Sequence, residues 1–396
     1  MRSLFIYLNI VSYAFFYISD EGFGVTEVLF FGLQGLSFFY LGTTFIKDAI
    51  LKSPKLTSSS VFTFSIVLLV FIAAIHGILL GNPTFGVFSE FTYYLPLFLL
   101  AVLYLSTAKA DDINAAVLAM LSAGIIVSIN NMINYQQIIL QATMVWKVEK
   151  ARVANGEMLL VFNLVFLFTT NFFKNRGLLW FLTRFGLISL HLIALVISQS
   201  RGYWLLFIGT MVLFVLFSDI KLKFKLFLIL IFTTPFIAVI VINYYSELEL
   251  VVNGIIKRIE SFTSLSRDTS LLERYIEYEQ IKEMLWERPM SGYGLGSYYN
   301  RQYIVVGYSI PKLYIHNAYY SVIYKFGIFG FISFVGLHLS IVIKLFDKNF
   351  LQKGTALGTA LLFLFILVFG LNLTSPQYYS SEAMLVFLFG SIYTRK

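Results

Sequence analysis

Apolar runs near twenty residues recur from one end of this chain to the other, and they leave few folds open. A run of that length crosses the roughly 30 Å hydrocarbon core of a bilayer as an α-helix. Within that core every backbone N–H and C=O must find a partner, which restricts a spanning chain to helices or a closed barrel. The alternating apolar and polar pattern of a barrel is missing. Helical runs lie near 4–18, 25–46, 60–80, 91–107, 113–139, 157–173, 178–197, 202–217, 226–244, 318–343, 355–373 and 378–393. Composition agrees: 58% of the 396 residues are hydrophobic and 13% are charged, against roughly 25% charged in soluble domains. The sequence predicts an all-α polytopic membrane protein of about 12 transmembrane helices with one large external loop.

Three segments follow: about nine helices over 1–244, a loop over 245–317 and about three helices over 318–396, together one membrane domain. The first run follows Arg2 and no small-x-small cleavage site ends it, so it reads as a retained helix. With twelve spans both termini share a side. The segments on that side hold 16 Lys/Arg and 5 Asp/Glu, and the other side holds 13 and 16. Eight of those 13 cations sit in the long loop, which the positive-inside rule largely exempts, so the termini are expected in the cytoplasm and the loop outside. Basic runs such as Lys221-Leu222-Lys223-Phe224-Lys225 then serve as topology anchors, not nucleic-acid sites. No cysteine is present, which removes disulfides, thiol nucleophiles and thiolate metal sites.

The long loop has a pattern of its own. Ser270-Leu271-Leu272-Glu273 fits a capping box. Leu271, Leu272, Tyr275, Ile281 and Leu285 then recur at helical spacing, predicting an amphipathic helix that ends before Pro289. A second such helix is expected over 247–262, both lying along the membrane surface. Gly292-Tyr293-Gly294-Leu295-Gly296 follows a helix instead of a strand, so it reads as a turn re-entering the bundle and not as a dinucleotide loop.

Cations in short external segments run against the positive-inside bias and are the first candidates for chemistry. Arg201 opens a helix after Ser198-Gln199-Ser200, Arg152 precedes the run at 157–173, and Arg274 lies in the first turn of the amphipathic helix. Interfacial snorkelling or a solvated face is the plain alternative for each. Converging on one outer cavity, three guanidinium forks would suit a diphosphate. No carboxylate cluster stands out as a magnesium or zinc cage, so arginines are expected to replace a metal as the charge clamp. His316, at the edge of an apolar run, suits a general base or a structural hydrogen bond. His76, His191 and His338 lie inside apolar runs and read as packing or interhelical bonds. Gly327 and Gly330 read as a close-approach face of the helix after His316. Thirteen of 25 tyrosines fall in 244–324, and Tyr298, Tyr299, Tyr303, Tyr308 and Tyr314 could stack on sugars. Asn130, Asn131, Asn134, Gln136 and Gln137 could add hydrogen bonds to hydroxyls.

Taken together these motifs resemble the bacterial O-antigen ligase/polymerase superfamily. The resemblance rests on Ser200-Arg201-Gly202 opening a helix, on Arg274, on Trp286-Glu287-Arg288-Pro289-Met290-Ser291-Gly292-Tyr293-Gly294-Leu295-Gly296-Ser297, and on His316-Asn317-x9-Gly327-x2-Gly330. It covers about 198–330. Arg152-Val153-Ala154-Asn155 is similar to the family's earlier arginine motif but lacks its Asn-Pro-Asn. The resemblance implies a GT-C-like, metal-independent glycosyltransferase without a cofactor, working at the periplasmic face of the bacterial inner membrane. Its donor and acceptor would be undecaprenyl-diphosphate-linked glycans, and a chain-length regulator in the same membrane would be a further partner. Arg201 and Arg274 would hold the diphosphate and His316 would activate or position the acceptor. Arg152, Arg288, Asn317, Tyr298 and Tyr299 would bind substrate.

Length near 400 residues and low charge favour, within that resemblance, an O-antigen polymerase that joins repeat units. The alternative is a ligase that moves the glycan to lipid A-core. A transporter or flippase for the same lipid-linked glycan should show repeats, broken midplane helices and intramembrane ionisable residues. In the sequence, ionisable residues gather at the outer face and in one loop.

Overall fold

A computed structural model describes residues 1–17, 25–51, 57–105, 110–140, 153, 155–170, 177–218, 253, 256, 269–303, 308–351 and 355–394. Among these are thirteen α-helices and one β-hairpin. The helices are α1 (Arg2–Tyr17), α2 (Val25–Leu51), α3 (Ser58–Leu79), α4 (Thr84–Tyr93), α5 (Leu95–Tyr104), α6 (Ala110–Leu140) and α7 (Glu157–Thr169). They continue with α8 (Gly177–Ile197), α9 (Arg201–Leu216), α10 (Thr269–Glu287), α11 (Ala318–Phe346), α12 (Ala356–Leu371) and α13 (Ser381–Tyr393). Strands β1 (Tyr299–Tyr303) and β2 (Tyr308–Lys312) form the antiparallel hairpin, pairing Tyr299 with Lys312 and Tyr303 with Tyr308. Arg152 and the runs expected at 226–244 and 247–262 lie outside the described residues, apart from Asn253 and Ile256, which are helical.

Among the described residues four helices are long and apolar enough to cross a membrane: α3, α6, α8 and α11; the bent pair α4–α5 makes a fifth. Pro96, near the start of α5, cannot donate to the preceding turn, and the two helices meet there at 48°. The shorter apolar helices α7, α9, α12 and α13 have 13 to 16 residues, about 20–24 Å at about 1.5 Å per residue. All thirteen residues of α7 are buried. Apart from Glu157, Asn163 and Thr169 it is apolar all round, because other helices surround it, α8, α9, α12 and α13 among them. By contrast α3 exposes Leu68, Phe71, Ile72, Ile75 and Leu79, an apolar stripe suited to lipid contact.

Two buried histidines tie helices together. His191 Nδ1 lies 3.0 Å from Ser128 Oγ, and His338 meets the Tyr378 hydroxyl at 2.9 Å and the Phe365 carbonyl at 2.8 Å.

Gly327 departs from the sequence expectation. It is not a helix–helix contact face but a break inside α11, with φ 70 and ψ −169. A Cβ there would stand 2.0 Å from the Met290 carbonyl oxygen. The break frees carbonyls of α11 to accept from the glycine turn: Tyr293 N–H donates to Tyr324 O at 2.7 Å and Gly294 N–H to Lys325 O at 3.1 Å. Gly292, Gly294 and Gly296 all have positive φ, and Gly294 passes so close to α3 that a Cβ would lie 2.4 Å from Gly77 N. The re-entrant turn thus wedges between α3, α4 and α11.

Under that turn lies a fully buried ion pair, Lys325 Nζ to Glu90 Oε1 at 2.7 Å. Lys325 also donates to Ser297 O at 2.6 Å. Glu90 accepts from Gly296 N–H at 2.8 Å and from the Tyr379 hydroxyl. Ionisable groups are therefore not confined to the outer face and the loop, and two helices are broken. Every charge in this network is met by a hydrogen-bonding partner that belongs to the turn or its walls, so the pair anchors the turn.

Candidate active site

Three separate stretches of chain meet at the connection between α12 and α13, residues 372–380. From α11, Ala318 N–H donates to Asn372 O at 2.8 Å and Asn317 Nδ2 to Leu373 O at 3.3 Å. From α10, the Tyr278 hydroxyl donates to the same Leu373 carbonyl at 3.0 Å. From α9, Gln377 Nε2 donates to the Tyr203 hydroxyl at 2.9 Å, and Gly202 is so close to Leu371 that a Cβ would lie 3.1 Å from its Cδ1. The connection thus brings the segments bearing Arg201, Arg274 and His316 around one region.

Arg201 is the first residue of α9. The turn before it is tight: Gln199 takes a left-handed φ of 49 as α8 ends. Ser200 does not cap α9 with its side chain; its hydroxyl donates instead to Glu157 Oε1 at 2.7 Å. Glu382 accepts from Gly156 N–H at 3.1 Å and Met158 N–H at 2.9 Å, so it caps α7 from another helix. The guanidinium of Arg201 begins where backbone N–H groups already favour an anion.

Arg274 falls in the second turn of α10, because the helix starts by Thr269; the Ser270 side chain lies outside the described residues. Arg274, Glu277, Tyr278 and Ile281 share a face by their spacing. Arg274 is half-buried, and Ile281 is buried against a small core with Tyr299, Ile315 and Tyr324.

His316 has a partner that sequence reasoning missed. Its Nδ1 lies 2.9 Å from Oε2 of Glu277, a carboxylate with no exposed surface, while the imidazole side chain is 19% exposed. The His316 backbone N–H points to the same oxygen at 3.4 Å. Tyr299 Oη is shared between Glu277 Oε1 and the Tyr314 carbonyl oxygen, the latter at 3.1 Å. A carboxylate in the apolar stripe of an amphipathic helix, four residues before Ile281, was the signal available in the sequence.

The remaining candidates divide. Tyr298 is 40% exposed and its carbonyl accepts from the Tyr324 hydroxyl at 3.0 Å. Tyr299 is buried and its hydroxyl is engaged with Glu277. Asn317 caps α11, accepting from Tyr319 and Tyr320 N–H at 2.9 and 3.1 Å. Arg288 is exposed just past the C-terminal end of α10, 5.1 Å over the Tyr293 ring, about 20 Å along the helix axis from Arg274. Burial, then the Glu287 carboxylate beside it, push the Tyr293 phenol up to about 12, so it stays a neutral donor. Of the amides, Asn131 is buried and donates to Asn155 O at 2.8 Å, while Gln136 and Gln137 are exposed.

No curated protein gives a significant match to the chain. Residues 186–335 match the family described as O-antigen ligase. The matched stretch runs from within α8 to within α11 and holds Arg201, Arg274, Glu277 and His316. Over 186–335 the chain is therefore similar to the O-antigen ligase family, the stretch on which the sequence resemblance to the O-antigen ligase/polymerase superfamily also rests.

Proposed function

We propose that this protein is an integral membrane glycosyltransferase that polymerises undecaprenyl-diphosphate-linked repeat units at the periplasmic face. The observation that supports this most is the meeting of the Arg201, Arg274 and His316 segments at the α12–α13 connection. In the reaction, His316 Nε2 takes the proton of an acceptor sugar hydroxyl as its oxygen bonds to the donor's anomeric carbon. The bond from that carbon to the lipid diphosphate breaks, and the diphosphate leaves with the electron pair. Arg201 and Arg274 would meet the charge developing on it, with no metal needed. Twelve spans in a GT-C-like arrangement, cytoplasmic termini and a periplasmic 245–317 loop belong to the same reading. Cysteines introduced as Glu260→Cys and Ile310→Cys should then label from the periplasm; labelling from the cytoplasm alone overturns the topology.

The family's description favours a second reading, a ligase that transfers the glycan to lipid A-core. Deleting the gene in its host and resolving the lipopolysaccharide on a gel separates the two. Core carrying a single repeat unit supports the polymerase. Bare core, with long polymer retained on the lipid carrier, supports the ligase. An unchanged ladder overturns both.

A further inference from the structure

We infer that Glu277 is the positioning residue of the reaction, holding His316 by Nδ1 so that Nε2 faces the acceptor hydroxyl and sharing the proton's charge once it is taken up. Tyr299 in turn holds Glu277. The inference rests on His316 being the base and deepens that reading.

The geometry carries it. An ionised carboxylate only accepts hydrogen bonds, so its contact at 2.9 Å places the neutral ring's proton on Nδ1 and the lone pair on Nε2. Three fixed donors surround the carboxylate: His316 Nδ1–H, His316 N–H and the Tyr299 hydroxyl. They come from two elements, the hairpin and the segment entering α11, and Glu277 comes from α10. The carboxylate is therefore held from several directions and cannot swing away without unpairing them. Glu277 has no exposed surface, so little water screens its attraction for an imidazolium, and that attraction grows as the proton arrives. A backbone carbonyl would orient the ring but would not add a negative charge. The imidazole remains 19% exposed, so a substrate can reach it. The Tyr314 ring lies 5.4 Å from the imidazole centroid, nearly edge-on.

The test uses the full-length protein in proteoliposomes, with lipid-linked repeat units extracted from a host strain lacking this gene. Glu277→Gln keeps the shape and removes the charge. It should lower kcat about ten- to a hundredfold, leave KM for the donor within about twofold, and move the acidic limb of the pH–rate profile to lower pH. Removing a general base outright costs about 10²–10⁴-fold, so His316→Ala should be worse. In a His316→Ala background, Glu277→Gln should add no further loss, because Glu277 acts only through the ring. Tyr299→Phe should show a weaker form of the Glu277→Gln phenotype. Wild-type turnover and pH profile in Glu277→Gln overturn the positioning role while leaving His316 as base. Additive losses in the double variant, with folding intact, also overturn it. Full activity in His316→Ala overturns the underlying reading instead.

Discussion

Lys325→Met should destabilise the protein by about 3–5 kcal/mol, because it leaves the Glu90 charge buried without its counter-ion. Both side chains are fully buried and 2.7 Å apart. Two donors, Gly296 N–H and the Tyr379 hydroxyl, still serve the stranded carboxylate, and the Ser297 carbonyl loses its partner. Glu90→Gln strands the ammonium in the same way and should cost a similar amount. In the double variant no unpaired charge remains, and the cost falls to that of the orphaned Ser297 carbonyl, about 1–3 kcal/mol. The double variant should therefore be more stable than either single one, a large coupling between residues 235 positions apart. Thermal unfolding in detergent, followed by tryptophan fluorescence at one scan rate, measures this. The per-residue unfolding entropy of globular chains converts 3–5 kcal/mol into about 4–6 °C of Tm for a chain of this size. Single variants within about 1 °C of wild type, or a double variant that loses the sum of both, would refute the reasoning.

Further outcomes follow from other sites. Gly327→Ala should abolish accumulation of folded protein, since its Cβ would meet the Met290 carbonyl oxygen at a left-handed φ. Gly370→Ala, with nothing within 4 Å of the added methyl, should be neutral or slightly stabilising in the same expression and melting assay. Arg201→Ala or Arg274→Ala should slow chain assembly by about 2–4 kcal/mol of lost transition-state stabilisation, with membrane levels unchanged on a blot; wild-type product lengths would remove that residue from the diphosphate clamp. Asn317→Ala should lower stability by about 1 kcal/mol through its lost cap, read as a reduced Tm. Chelator treatment should leave turnover unchanged if arginines alone hold the diphosphate, and a loss restored by added metal would refute that.

Much of the architecture is legible in sequence because it follows from local pattern. Apolar runs of sufficient length must become helices in lipid, and eleven of the twelve expected positions hold helix, the one at 226–244 lying outside the described residues. The amphipathic helix before Pro289 and the glycine turn after it are equally local, since periodicity, proline and positive φ act over a few residues. So is the placement of Arg201 at a helix start. The strand pair at 299–303 and 308–312 is not obvious, because a short tyrosine-rich pair owes its form to context, here α10 against β1. What tertiary structure alone decided is which charges are paired. Glu277 and His316 are 39 positions apart and Glu90 and Lys325 are 235 apart. No spacing rule reaches across such separations. Only the packing of α10 against α11, and the wedging of the glycine turn into the broken α11, set each charge beside the partner that its burial demands.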